Sequence, residues 1–122
     1  RGTQLKDNVR TLFDAGAREV HMRIACPTLV YPCVFLNFST SRSTLDLAGR
    51  KAIFDMEGQE QEDTIRRYAD PDTRQTTDMV EHIREKLGLN TLKYQRLEDM
   101  IAAIGLPKEK LCTHCWDGSS YD

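Results

Sequence analysis

The chain has 122 residues, with 17 basic and 19 acidic side chains and a formal net charge of −2. Basic residues are scattered among acidic ones along the whole length, a pattern that gives neither a nucleic-acid-binding stripe nor a polybasic membrane patch. No apolar run approaches the roughly 20 residues that span a bilayer and no signal-peptide pattern opens the sequence, so one soluble, cytoplasmic domain is the expectation.

The first residues, Arg1-Gly2-Thr3-Gln4, read as a tight polar turn without a methionine, and the chain is expected to be a piece of a longer polypeptide. From Thr3 to Ala15 the apolar residues Leu5, Val9, Leu12 and Phe13 fall at helical spacing, with Thr3 as N-cap and Gly16 as the residue past the C-terminus. Val20, Met22 and Ile24 then alternate with His21, Arg23 and Ala25, the period-two pattern of a strand. Cys26-Pro27 ends that strand, because proline cannot donate to a ladder, and Tyr31-Pro32 punctuates the chain again before Cys33. A helix, a short turn and a strand make half of a βαβ unit, whose first strand would precede Arg1.

The hydroxyl cluster Ser39 to Ser43 can cap a helix from Thr44 to about Met56, with Leu45, Leu47, Ala48, Ala52, Ile53 and Met56 on its apolar face. Gly58 and the run Gln59-Glu60-Gln61-Glu62-Asp63 read as a solvated linker. Residues 64 to 77 are weakly patterned, with a turn at Asp70-Pro71-Asp72. The helical period returns from Asp78 through Met79, Val80, Ile83 and Leu87, capped by Thr77 in front and Gly88 behind. Leu92-Lys93-Tyr94 is a short strand, and Leu97, Met100, Ile101 and Ile104 form a last amphipathic helix closed by Gly105.

Four cysteines remain: Cys26, Cys33, Cys112 and Cys115. In a reducing compartment they read as metal ligands or core residues before disulfides. The spacing Cys112-Thr113-His114-Cys115 lets both sulfurs approach one soft metal ion, although a redox pair or two half-buried thiols has the same spacing. His21 and His82 read as solvated side chains, His82 beside Glu81 and Glu85. Trp116 is expected to pack over the tail.

Several stretches together resemble the C-terminal part of the glutamine amidophosphoribosyltransferases of iron–sulfur type. They are Arg1-Gly2-Thr3, Gly16 to Ala25 (GAREVHMRIA), Tyr31-Pro32-Cys33, and Leu97 to Lys108 (LEDMIAAIGLPK) leading into Cys112-x-x-Cys115. The segment from Gly58 to Thr76 matches poorly. The fold implied is α/β: residues 1–57 as the C-terminal half of a type I phosphoribosyltransferase domain, a parallel-sheet fragment flanked by helices. A variable linker at 58–77 and a mainly helical C-terminal extension at 78–122, ending in the Cys-x-x-Cys tail, would complete the chain.

Type I phosphoribosyltransferases hold the 5-phosphate of phosphoribosyl pyrophosphate (PRPP) at a helix N-terminus, where backbone N–H groups and a glycine make a site for a dianion. The resemblance assigns that role to Arg1, Gly2, Thr3 and Gln4, with Gln4 in place of the usual second threonine. It also implies two adjacent carboxylates just before Arg1, and Mg²⁺ on the pyrophosphate. The parent would join glutamine-derived ammonia to PRPP, giving 5-phosphoribosylamine in the first step of purine synthesis, as a homo-oligomer without nucleic-acid or membrane partners. The fragment alone is expected to be inactive.

The resemblance further assigns Cys33, Cys112 and Cys115 as three of four ligands to a 4Fe–4S cluster, the fourth lying upstream. Cys26 occupies a position where serine is common, and reads as a buried thiol at a strand end. With three ligands the fragment would be metal-free or would bind adventitious zinc, completed by Cys26, His114 or water, with His114 more readily pointing away. Metal binding can stabilise small folds by about 10 kcal/mol or more, so its loss is expected to leave the tail disordered. The rival readings are a small zinc or redox module centred on the cysteine pair, and a non-catalytic phosphoribosyltransferase relative.

Overall fold

The computed structural model describes residues 2–33, 35, 47–59 and 61–119. In chain order these form α1 (Gly2–Asp14), β1 (His21–Ile24), α2 (Ala48–Glu57), α3 (Glu62–Ala69), α4 (Arg74–Leu87), β2 (Thr91–Tyr94), α5 (Leu97–Ile104), a 3₁₀ turn (Lys108–Lys110) and α6 (His114–Asp117). No helix among the described residues is long and apolar enough to cross a membrane.

β1 and β2 pair in parallel, with His21 opposite Thr91 and Ile24 opposite Tyr94. The ladder is extended at its start by Asn90, whose N–H donates to Val20 O and whose Oδ1 accepts from Val20 N. Side chains alternate across a strand, so Met22, Ile24, Leu92 and Tyr94 turn inward while His21, Arg23, Thr91 and Lys93 share the outer face. On that face Thr91 Oγ1 joins the His21 ring at 2.8 Å and accepts from Arg23 at 2.9 Å. His21 is thus exposed, as its alternation implied, but it is engaged with Thr91 and with Glu19.

The helix α4 is the centre of the packing. Its Met79, Ile83 and Leu87 recur every fourth residue and are buried, and the helix touches α1, α2, α3 and β2. α1 reaches the core through buried Val9 and partly buried Phe13, leaving Leu5 and Leu12 exposed. It stops where expected: Gly16 adopts φ 103°, and its N–H donates to Phe13 O.

α2 begins at Ala48, and the hydroxyl cluster expected to cap it lies outside the described residues. Its inner face is Gly49, Arg50, Ala52 and Ile53, and of the expected apolar face Met56 is exposed, as is neighbouring Phe54.

Two expectations between Gly58 and Asp78 need correction. The second half of the charge run opens a helix, α3, whose Ile65 and Tyr68 are both buried. Acidic Glu62 and Asp63 occupy its first turn and basic Arg66 and Arg67 its last, a distribution that complements the helix dipole. α4 then starts at Arg74, ahead of the expected Asp78, and its cap is Thr73 instead of Thr77. Thr73 Oγ1 accepts from Thr76 N and donates to Arg67 O. The turn between the helices is where it was expected, with Asp72 N donating to Asp70 Oδ1 at 2.9 Å.

Candidate metal centre

The site grows from the loop that follows β1. Residues Thr28 to Tyr31 lie against the start of α2, where a Cβ at position 49 would stand 2.7 Å from Thr28 Cγ2 and 2.9 Å from Leu29 O. Glycine at that position is therefore what lets the loop and helix meet. The adjacent Arg50 is buried, and its Nε donates to Val30 O, so the charge enters the interior with a hydrogen bond. Its guanidinium lies 5.8 Å from the centroid of the Tyr31 ring, within cation–π range.

The C-terminal tail returns to the same loop. Cys115 O accepts from both Val30 N and Tyr31 N, each at 3.1 Å. Gly118 sits against the Tyr31 ring so closely that a Cβ there would be 2.8 Å from Cζ, and its φ of 71° is itself left-handed. The His114 ring stands 5.9 Å from that of Tyr31, centroid to centroid. Within the tail, buried Thr113 donates to Asp117 Oδ2 at 2.8 Å, Ser119 N donates to Asp117 Oδ1 at 2.9 Å, and Lys108 Nζ lies 3.0 Å from Oδ2. Desolvation pushes the Asp117 pKa up, but the hydrogen bonds from Ser119, Lys108 and Thr113 prevail and bring it down to about 2.

This docking carries Cys115 to Cys33. Cys33 and Cys112 are both near enough to push the Cys115 pKa up. Desolvation, then the Cys33 thiol, then the charge of Cys112 bring it to about 11, so the Cys115 thiol is protonated at neutral pH and a bound metal would have to displace the proton. Cys112 is exposed, whereas Cys33 and Cys115 are half-buried, and none of the three is in a disulfide. In donor type the set suits a thiophilic ion. In geometry the tail sets Cys115 on the loop that carries Cys33, and among the described residues no group of three His, Cys, Asp or Glu side chains is arranged to hold a metal ion.

Cys26, half-buried at the end of β1, has its pKa raised by desolvation and contributes to the electrostatics of Tyr94. His114 uses Nδ1 within the tail, donating to Ser119 O at 2.7 Å. Trp116 borders a cleft of about 490 Å³ at the carboxyl ends of the two strands, which Pro27, Tyr94 and Arg96 also line. Its indole N–H is covered and meets no acceptor among the described residues. At the other end of the chain, Arg1 lies outside the described residues, while Gly2, Thr3 and exposed Gln4 form the first turn of α1. Arg50 and Gly118 were not among the residues the sequence singled out, and Tyr31 and Thr113 entered only as neighbours of the cysteines in their motifs. The one available signal was Gly118, a glycine placed soon after the cysteine pair, where a chain that must turn back requires one.

No family model matches the chain, and no solved structure matches it. It is similar to a segment of amidophosphoribosyltransferases. It is 30% identical over 118 residues to that of Methanothermobacter thermautotrophicus, covering 97% of this chain and 19% of the relative. Against that of Mycobacterium tuberculosis it is 33% identical over 119 residues, covering 97% of this chain and 18% of the relative. A shorter stretch of 33 residues is 64% identical to the amidophosphoribosyltransferase of Pyrococcus horikoshii, covering 27% of this chain and 7% of the relative. The chain thus spans about a fifth of the length of the first two relatives.

Proposed function

We propose that the chain is the section of an amidophosphoribosyltransferase that runs from the phosphate-gripping turn to the thiolate tail of a structural metal centre. The observation that carries this reading is the similarity along 97% of the chain to proteins of that name. The parent enzyme would displace pyrophosphate from PRPP with glutamine-derived ammonia, inverting the anomeric carbon. Positive charge develops on the ribose as Mg²⁺-bound pyrophosphate departs, so positioning and electrostatics dominate such a reaction. Arg1, Gly2, Thr3 and Gln4 would bind the 5-phosphate, with the N–H groups of the first turn of α1 aimed at it. None of these is an acid, base or nucleophile, and the chain alone is expected to be inactive.

Within this reading residues 1–57 belong to the phosphoribosyltransferase domain and 58–77 lead into the extension at 78–122, with α4 running across residue 78 and β2 pairing with β1, so that the extension completes the same core. Cys33, Cys112 and Cys115 would supply three thiolates to a 4Fe–4S cluster whose task is to tie the tail to the body. The docking of Cys115 on the loop that carries Cys33 supports that assignment over a redox pair made by Cys112 and Cys115 alone. A cytoplasmic homo-oligomer is the setting this function implies.

Replacing the matching segment of the Methanothermobacter relative with this chain provides the test. The chimera, purified without air, should release pyrophosphate from PRPP in the presence of ammonia and should carry iron and acid-labile sulfide. A folded chimera with no PRPP-dependent release overturns the enzymatic reading. An active one without iron and sulfide removes the cluster.

A further inference from the structure

The tail that carries Cys115 folds back on the loop that carries Cys33, and the contacts that bring it back are not made by sulfur. Cys115 holds the loop through its backbone carbonyl, which takes the N–H groups of Val30 and Tyr31. Tyr31 is clamped between three partners: the Arg50 guanidinium, the His114 ring and the backbone of Gly118. Asp117 and Thr113 stiffen the tail behind this contact, and Lys108 anchors it to the 3₁₀ turn. These contacts are backbone hydrogen bonds, ring packing and ion pairs, and all of them are available without a metal ion.

We propose that the Tyr31–Gly118 contact is a metal-independent latch that presets the Cys33–Cys115 pair, so that an incoming thiophilic cation meets two assembled thiols and recruits exposed Cys112 to them. Tyr31 and Gly118 are then positioning residues of the metal centre. The purpose of the pair rests on the metal-centre reading above; the latch itself does not. Gly118 admits no substitute, because any side chain needs an unfavourable φ and meets the Tyr31 ring. Tyr31 acts through its ring face, so phenylalanine should replace it.

Amide hydrogen exchange on the full 122-residue chain, stripped of metal with a chelator, tests the latch directly. The Val30 and Tyr31 amides should be protected without metal. Gly118→Val and Tyr31→Ala should each lower that protection at least roughly tenfold while the amides of Met79 and Ile83 keep theirs, and Tyr31→Phe should retain it. Titration with Co²⁺, followed by its thiolate charge-transfer and ligand-field bands, supplies the second readout. Wild type and Tyr31→Phe should bind, and Gly118→Val and Tyr31→Ala should bind at least roughly tenfold more weakly. Val30 and Tyr31 amides that exchange freely until Co²⁺ is added overturn the proposal, as does unchanged Co²⁺ affinity in both disruptive variants. Protected amides in a wild-type chain that shows no Co²⁺ bands leave the latch standing and overturn the metal-centre reading alone.

Discussion

Asp55 sits at the end of α2 facing His82 and Lys86 of α4. Its Oδ2 lies 3.3 Å from His82 Nε2 and is also bound by the Lys86 ammonium. The Lys86 hydrogen bond is the main cause that brings the Asp55 carboxyl below its ordinary value of 3.8; desolvation opposes it and His82 reinforces it. A carboxyl whose folded pKa is depressed contributes stability that is complete above its unfolded pKa and is lost as pH falls through the lower folded value. Partly exposed pairs of this kind contribute about 0–1 kcal/mol. Asp55→Asn should therefore cost less than about 1 kcal/mol at neutral pH, and melting curves from about pH 5 down to about pH 3 should fall less steeply for the variant. Parallel curves would show that the carboxylate contributes nothing to this acid sensitivity. His82 was read from the sequence as a solvated neighbour of Glu81 and Glu85. Helical periodicity places such a residue on a face of its own helix, but says nothing about which residue of another helix stands opposite.

At the scale of elements, α4 shows what periodicity can and cannot locate. Its apolar rhythm begins at Met79, so a reading based on that rhythm starts the helix at Asp78 with Thr77 as cap. The true first turn, Arg74-Gln75-Thr76, carries no apolar residue, and the cap is Thr73. Removing a threonine N-cap costs about 1 kcal/mol, while exposed substitutions away from special features usually fall within about 0.5 kcal/mol. Urea denaturation of Thr73→Ala should show the first cost and that of Thr77→Ala the second, and equal effects would exclude Thr73 as the cap. α3 escaped for a related reason, having only Ile65 and Tyr68 as large apolar groups in eight residues, although its acidic start and basic end matched the helix dipole. Strands β1 and β2 were legible from alternation, but their pairing was not, because a parallel partner is set by the long crossover between them. The cysteine pair of the tail was visible as a motif. Its partnership with Cys33 is an expectation from the family resemblance alone, and the Tyr31–Gly118 packing that docks the tail on the Cys33 loop leaves almost no trace in sequence.

Over the whole molecule, the described core is narrow and runs through α4. Met79 and Ile53 are wholly buried, while Leu5, Leu12, Phe54, Met56, Ile104 and Leu106 remain exposed on α1, α2 and the end of α5. Domains of ordinary stability have only about 5–15 kcal/mol to lose. Met79→Ala should remove about 2–5 kcal/mol of that, because a cavity at the meeting point of several helices cannot easily collapse. Leu12→Ala, at a position half exposed, should cost far less. The chain of contacts sharpens the prediction. The loop that holds Cys33 packs on α2, α2 packs on α4, and the tail packs on the loop. If these are one cooperative unit, Met79→Ala lowers the exchange protection of Val30 and Tyr31 by the same free energy as that of Ile83. If the tail and loop form a separate unit, the protection of Ile83 falls and that of Val30 and Tyr31 does not. The second outcome is expected, since the contacts that protect Val30 and Tyr31, to Cys115 O and through the Tyr31–Gly118 packing, are made by the tail and not by α4.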